Sequence, residues 1–232
     1  MLARLTSLSA AGHTKGILGL STAIASNGAT VVSSVGYDGC LKLWELEGAG
    51  ELRLLHELKG FSAGPIFSID MCANADGTMM LCAGTYCRRL CVFDYAAAAG
   101  ASPQMRWSSQ QHTGWVRALA IGKESHGGKY APAHIYSIGC NRILDWSTLD
   151  GASEASIRSS DVEIALFEDS SQVRSHDVLC LAHGDAEGVL ACGSVDGALR
   201  AWDTTKLRGG LHTLTASTPH HWIGHNDRGV LS

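Results

Sequence analysis

GHTKGILGLSTAIASNGATVVSSVGYDGCLKLWE, residues 12–45, decides how the rest of the chain is read. An apolar segment from Ile17 to Ile24 is followed by Ser26-Asn27-Gly28. A second run, Thr30 to Val35, is followed by Tyr37-Asp38-Gly39, and a third, Cys40 to Trp44, by an acidic residue. Asn-Gly and Asp-Gly between short apolar runs are strong hairpin signals, because tight turns of this type need residues that tolerate positive φ. The stretch reads as a three-stranded antiparallel meander, and ELRLLHEL (51–58) adds a fourth strand with Leu52, Leu54 and His56 on one face.

The unit recurs in looser form. A second copy opens at Gly60-Phe61, with strands at Pro65–Met71, Met79–Ala83, Leu90–Asp94 and Gln104–Ser108, the last reached through a small-residue linker over Ala96–Ser102. The third opens at Gln111-His112. Its strands are Gly114–Ile121, His134–Ile138, a run ending at Trp146, and Val162–Phe167, with loops expected at Lys123–Pro132 and Ser147–Ser160. The fourth opens at Ser175-His176, with strands at Val178–Ala182, Val189–Gly193, Ala198–Asp203 and Leu211–Ala216, and a fifth Gly-His stands at Gly224-His225. Trp44, Phe93, Trp146 and Trp202 close the third strand of each copy. They are 49, 53 and 56 residues apart, and the excess over a lean repeat of about 40–45 lies in loops.

Composition narrows the function classes. A net charge of −4 and the absence of a Lys/Arg run give no basic footprint for nucleic acid. No apolar run approaches the roughly 20 residues of a membrane helix. Residues 1–10 lack the apolar core of a secretory signal, so a soluble intracellular protein, cytoplasmic or nuclear, is expected. The eight cysteines fall mostly within strand-like runs, where a free thiol packs as a small hydrophobe. Cys82-x4-Cys87-x3-Cys91 and the His220-His221-Trp222/His225 group carry metal-ligand residue types. Neither has a suitable spacing or a further anchored ligand, so no metal and no cofactor is expected. Phosphate-loop, nucleophile-elbow and zinc-protease motifs do not occur.

Gly-His at one end of the unit and Trp-acidic at the other resembles one blade of the WD-repeat β-propeller family, and the resemblance covers nearly the whole chain. It implies an all-β propeller of four-stranded antiparallel blades over about 12–58, 60–108, 111–167 and 175–216. Residues 2–8 and 224–232 would be parts of a fifth blade, making an incomplete ring.

In this family a His, a strand-b Ser or Thr, a turn Asp and the strand-c Trp form a hydrogen-bonded line through the blade. By resemblance the set is His13, Ser34, Asp38 and Trp44 in repeat one; His112, Ser137, Asn141 and Trp146 in repeat three; and His176, Asp196 and Trp202 in repeat four. Repeat two has Phe61, Cys87 and Phe93 instead and is expected to rely on apolar packing. Residues recurring once per blade are spread around a ring and do not converge on one reacting atom, so catalysis is not expected.

The resemblance places partner binding on the face made by the loops before strand a and between strands b and c. The rim places hold Gly16, Leu18 and Tyr37; Pro65, Phe67 and Tyr86; Trp115, Arg117 and Cys140; Asp177, Leu179 and Val195. Tyr37, Tyr86, Trp115 and Arg117 stand out as the residue types that dominate interfaces, with Arg88, Arg142 and Asp177 as further candidates. The bland alternative for Trp115 is a cap on its own blade. The expected function is a non-enzymatic scaffold for a protein or peptide partner, within a multiprotein complex, with no direct nucleic-acid or membrane binding. The alternatives are a fragment of a larger propeller, suggested by the open edges that four and a half blades leave, and an enzyme on a propeller-like fold.

Overall fold

The computed structural model describes residues 12–48, 50–126, 129–139, 142–148, 157–165, 178–184, 188–194, 198–204 and 222–223. Apolar runs punctuated by Asn-Gly and Asp-Gly turns fold into strands, with a short 3-10 turn at Ala97–Ala99. In chain order the first sheet contains β1 (Ile17–Ile24), β2 (Thr30–Gly36), β3 (Leu41–Leu46) and β4 (Leu52–Leu58). The second contains β5 (Ile66–Ala73), β6 (Met79–Thr85), β7 (Leu90–Tyr95) and β8 (Gln104–Ser109). The third contains β9 (Val116–His126), β10 (Lys129–Gly139), β11 (Arg142–Thr148) and β12 (Ile157–Ala165). The fourth contains β13 (Val178–Gly184), β14 (Val189–Ser194), β15 (Ala198–Asp203) and β16 (Trp222–Ile223).

Every pairing is antiparallel between consecutive strands and no sheet closes on itself, which is the construction of propeller blades. The first strands pack in series, β1 on β5, β5 on β9 and β9 on β13, so the blades follow one another in chain order as an open run.

Three segments differ from the sequence reading. Lys123–Pro132 is the far half of a long hairpin, because the alternation of β9 and β10 continues to His126 and Lys129 with Lys123 paired to Pro132. Residues 157–160, expected in an exposed insertion, belong to β12, where Ile157 pairs with Thr148 and Ser159 with Trp146. The fourth strand of the last sheet is Trp222–Ile223, paired with Leu199 and Ala198. Leu211–Ala216 lies outside the described residues, as do 2–8 and 224–232.

The core consists of layers between blades. Val31, Val35, Leu41 and Leu43 of the first blade meet Ile66, Ile69, Met71, Leu81 and Phe93 of the second. Cys72, Met80, Cys82, Leu90 and Val92 meet Leu119, Ile121, Ile135 and Trp146 of the third. Ala118, Tyr136, Ile138 and Ile143 meet Leu190 and Cys192 of the fourth. Cys82 and Cys91 therefore pack into different layers on opposite faces of the second sheet, while Cys87 sits in a turn, so the three thiols do not converge. A bulge opposite Leu43 and Trp44 resets the alternation of β4. Leu55 and Leu58 then reach the core, whereas Leu52 and Leu54 are exposed.

Equivalent positions expose the end of the run. Leu20, Ile69, Leu119 and Leu181 hold the same register place on the first strand of each blade, opposite Ser34, Ala83, Ser137 and Cys192. In the second, third and fourth blades this side chain packs against the preceding blade. Leu20 has no such cover among the described residues and is 64% exposed, against 6% for Ile69. Leu20→Ala should leave the urea midpoint nearly unchanged, whereas Ile69→Ala should lower stability by about 2 kcal/mol. Equal losses at the two positions in the isolated chain would contradict the open run.

Candidate functional site

The recurring polar residues and the rim residues occupy different places and do different things. In the first blade, Trp44 on β3 donates its Nε1–H to Ser34 Oγ on β2 at 2.8 Å. An indole N–H can only donate, so the Ser34 hydroxyl turns its hydrogen to His13 Nε2, 2.8 Å away. His13 Nδ1 then carries the proton and donates to Asp38, 2.9 and 3.0 Å from its two oxygens. Asp38 also accepts from the backbone N–H groups of Thr14 at 3.0 Å and Cys40 at 3.2 Å. Burial pushes the Asp38 carboxyl up, but the His13 bond and the two backbone N–H groups outweigh it and hold the pKa at about 2. Lys42, nearly buried, fixes the approach by donating to the carbonyl of Gly12 at 2.7 Å while pairing with Glu57.

Ser34, His13 and Asp38 have the connectivity of a hydrolytic triad. Ser34 Oγ, however, is buried under the Trp44 indole that donates to it, so no substrate carbon can approach it. The line satisfies polar groups inside the blade.

The third blade repeats the line with one end open. Trp146 donates to Ser137 at 2.7 Å, and Ser137 lies 2.7 Å from His112 Nε2. His112 Nδ1 is buried with no acceptor among the described residues, and Asn141, which stands near the Asp place in sequence, is outside them. Burial alone pushes the His112 pKa down to about 4.

A folded value below the ordinary 6.5 means that the unfolded chain binds the proton more readily between the two values. The stability contributed by neutral His112 is complete above pH 6.5 and is lost as pH falls toward 4, at about 1.4 kcal/mol per pH unit. Urea titrations of wild type and His112→Gln across pH 4–7 should differ by this slope, and parallel curves would contradict it.

The second blade has replaced the line with carbon. Ala83 stands at the serine place, and Phe61 meets Phe93 edge-on with ring centroids 5.0 Å apart. Cys87 takes the turn-aspartate place. Arg88 follows it at φ 64°, the left-handed conformation that Gly39 adopts in the first blade at φ 71°. Of the fourth-blade set, His176 and Asp196 lie outside the described residues, and Trp202 is described only by its backbone pairing with Leu190.

The rim residues form a continuous aromatic surface across two blades. Phe67, at the start of β5, stacks on Trp115, just before β9, with centroids 5.5 Å apart and planes at 19°. Tyr86, in the turn between β6 and β7, lies 5.0 Å from Trp115 and 6.5 Å from Phe67. Arg117 sets its guanidinium 5.1 Å from the centroid of the Trp115 ring. Trp115 thus leans onto the neighbouring blade instead of capping its own, and it remains 41% exposed, with Tyr86 at 44%. Gly64 makes room for the cluster, since a Cβ there would lie 3.2 Å from Tyr86 Cδ1.

Tyr37 does not join these rings. It lines the adjoining open groove with Lys15, Gly16, Asp38, Gly39 and the segment 62–65. The groove and the rings meet at Gly64. Arg88 is exposed in the Tyr86 turn, beside an equally exposed Arg89. Arg142 is described only by its backbone in β11, and Cys140, Asp177 and Val195 lie outside the described residues.

Sequence reasoning passed over Asp70. Its carboxylate accepts from Ser21 Oγ on β1 at 2.8 Å, from the N–H of Ile121 on β9 at 2.8 Å and from its neighbour Met71 at 2.9 Å, so one side chain ties three blades together. Burial raises its pKa, against the pull of these donors. A charged residue inside the apolar run IFSIDMCA was the available signal.

Comparison with known proteins gives one family. The model described as WD domain, G-beta repeat, matches residues 4–45 and 168–203. No curated protein matches the chain. The two matches fall on the first and fourth blades, and the third carries the same Trp–Ser–His line as the first. Two of the four blades thus carry repeats of the WD-repeat family.

Proposed function

We propose that this chain is a non-enzymatic scaffold that holds a protein or peptide partner on the face formed by the loops before strand a and between strands b and c. WD-repeat proteins act in general as interaction scaffolds. The observation that carries the reading is the cluster of Phe67, Tyr86 and Trp115. Large aromatic surface from two blades is left open to solvent at a rim, where such rings supply binding energy at low entropic cost. Tyr37, Arg88 and Arg117 border that centre, and the sequence adds Arg142 and Asp177 as further candidates.

The test is affinity capture with the wild-type chain, Trp115→Ala and Tyr86→Ala, each verified as folded. Proteins retained by wild type and lost by both variants are the expected result. Identical sets from all three would defeat the placement.

A further inference from the structure

The charges around the aromatic cluster define the partner more closely, and this step rests on the proposed binding face. Lys15 on the Tyr37 groove and Arg88 and Arg89 beside Tyr86 are all exposed. None of the three forms an ion pair among the described residues. The nearby acids are committed elsewhere. Asp38 is held by His13 and two backbone N–H groups, and Glu57 is shared by Lys42 and Lys59. Among the described residues, a chain of net charge −4 therefore presents three unpaired cations beside open aromatic rings. Arg88 is kept in a turn position whose left-handed backbone suits glycine, so its side chain stands there at a conformational cost.

We propose that the partner is an acidic peptide segment with an aromatic side chain among its carboxylates. The ring stacks on Trp115 and Tyr86. The carboxylates pair with Arg88 and Arg89 on one side and reach Lys15 along the groove on the other. Cations interleaved with aromatic rings also suit single-stranded nucleic acid. Arg88 and Arg89 border the ring cluster and Lys15 the adjoining groove, and among the described residues these cations do not track a strand-length path, which favours a short peptide segment.

Fluorescence anisotropy with the full chain tests this, using three short labelled peptides: Glu residues around one Phe, the same with Gly in place of Phe, and Lys residues around one Phe. An oligothymidylate of similar length is the fourth probe. The Glu–Phe peptide should bind at least tenfold more tightly than either other peptide and than the oligothymidylate, and should weaken as salt rises. The double variant Arg88→Ala/Arg89→Ala should lose at least tenfold in affinity for it, with an unchanged thermal midpoint, and Trp115→Ala should abolish binding.

Trp115-dependent binding of the Lys–Phe peptide with equal or greater affinity would overturn the acidic partner and leave the binding face standing. Tighter binding of the oligothymidylate would overturn it in favour of nucleic acid. No Trp115-dependent binding of any probe would overturn both the acidic partner and the face.

Discussion

Trp146→Ala should lower the unfolding free energy by about 4 kcal/mol, a large share of the roughly 5–15 kcal/mol that a folded domain has in total. The indole is 2% exposed and lies in the layer between the second and third blades, where it meets Trp107 at 5.6 Å and His112 at 6.3 Å. Truncation opens a cavity that two rigid sheets cannot collapse to fill. It also removes the donor to Ser137, leaving a buried hydroxyl one bond short. Trp146→Phe distinguishes the two effects, because it loses the N–H but keeps an aromatic ring that fills the larger part of the site, and should cost about 2 kcal/mol. Urea denaturation of both variants measures the difference. Equal losses would mean that the hydrogen bond and not the packing dominates.

Asp70→Ala should cost about 3 kcal/mol, because removing an acceptor from buried donors leaves their full desolvation penalty. The backbone N–H of Ile121 loses the partner that ties β9 to β5, and Ser21 loses the one that ties β1 to β5. Met71 is partly rescued, since its N–H also lies 3.2 Å from Ser21 Oγ. Asp70→Asn keeps an acceptor but turns an NH2 group toward one of the donors, so it should fall between the two.

The pH dependence has a definite sign. Burial raises the Asp70 pKa above its ordinary 3.8, so the folded chain binds this proton more readily than the unfolded one. The carboxyl contributes most below pH 3.8, and that increment is lost as pH rises through the folded value. Asp70→Ala removes this dependence. Asp38 acts in the opposite sense, its contribution being present above 3.8 and lost as pH falls toward about 2. A wild-type and an Asp70→Ala stability curve that stay parallel through the acid range would contradict the burial of this carboxyl.

The fold was legible because period and turn chemistry agree in the first repeat. Ile17–Ile24 and Thr30–Val35 are strand-length apolar runs, and Asn27-Gly28 and Asp38-Gly39 mark their ends. Legibility failed where one of those signals was missing. Lys123–Pro132 is polar and contains glycines, so it read as a loop, although hairpin pairing does not require an apolar face beyond the body of the sheet. The bulge opposite Leu43 and Trp44 reverses the faces of β4, and no residue type in ELRLLHEL announces it.

At the rim, residue type pointed to Trp115 and Tyr86, but their direct contact joins two blades and is completed by Phe67 of a different strand, which strand-by-strand reading treats as one place among many. Asp70 was hidden for the same reason. Its three donors come from three blades, separated by about fifty residues on either side, and only the packing of β1, β5 and β9 brings them together.

The central claim is that the buried His–Ser–Trp line builds the blade while the exposed rings bind. It is tested most directly by capture of the same partner with equal amounts of folded wild type, Trp44→Phe and Trp115→Ala. Trp44→Phe breaks the line at Ser34 and should capture as much partner as wild type despite its lower stability. Trp115→Ala should capture less than about a tenth as much, as expected for an interface hot spot. Undiminished capture by Trp115→Ala, or loss confined to Trp44→Phe, would contradict the account.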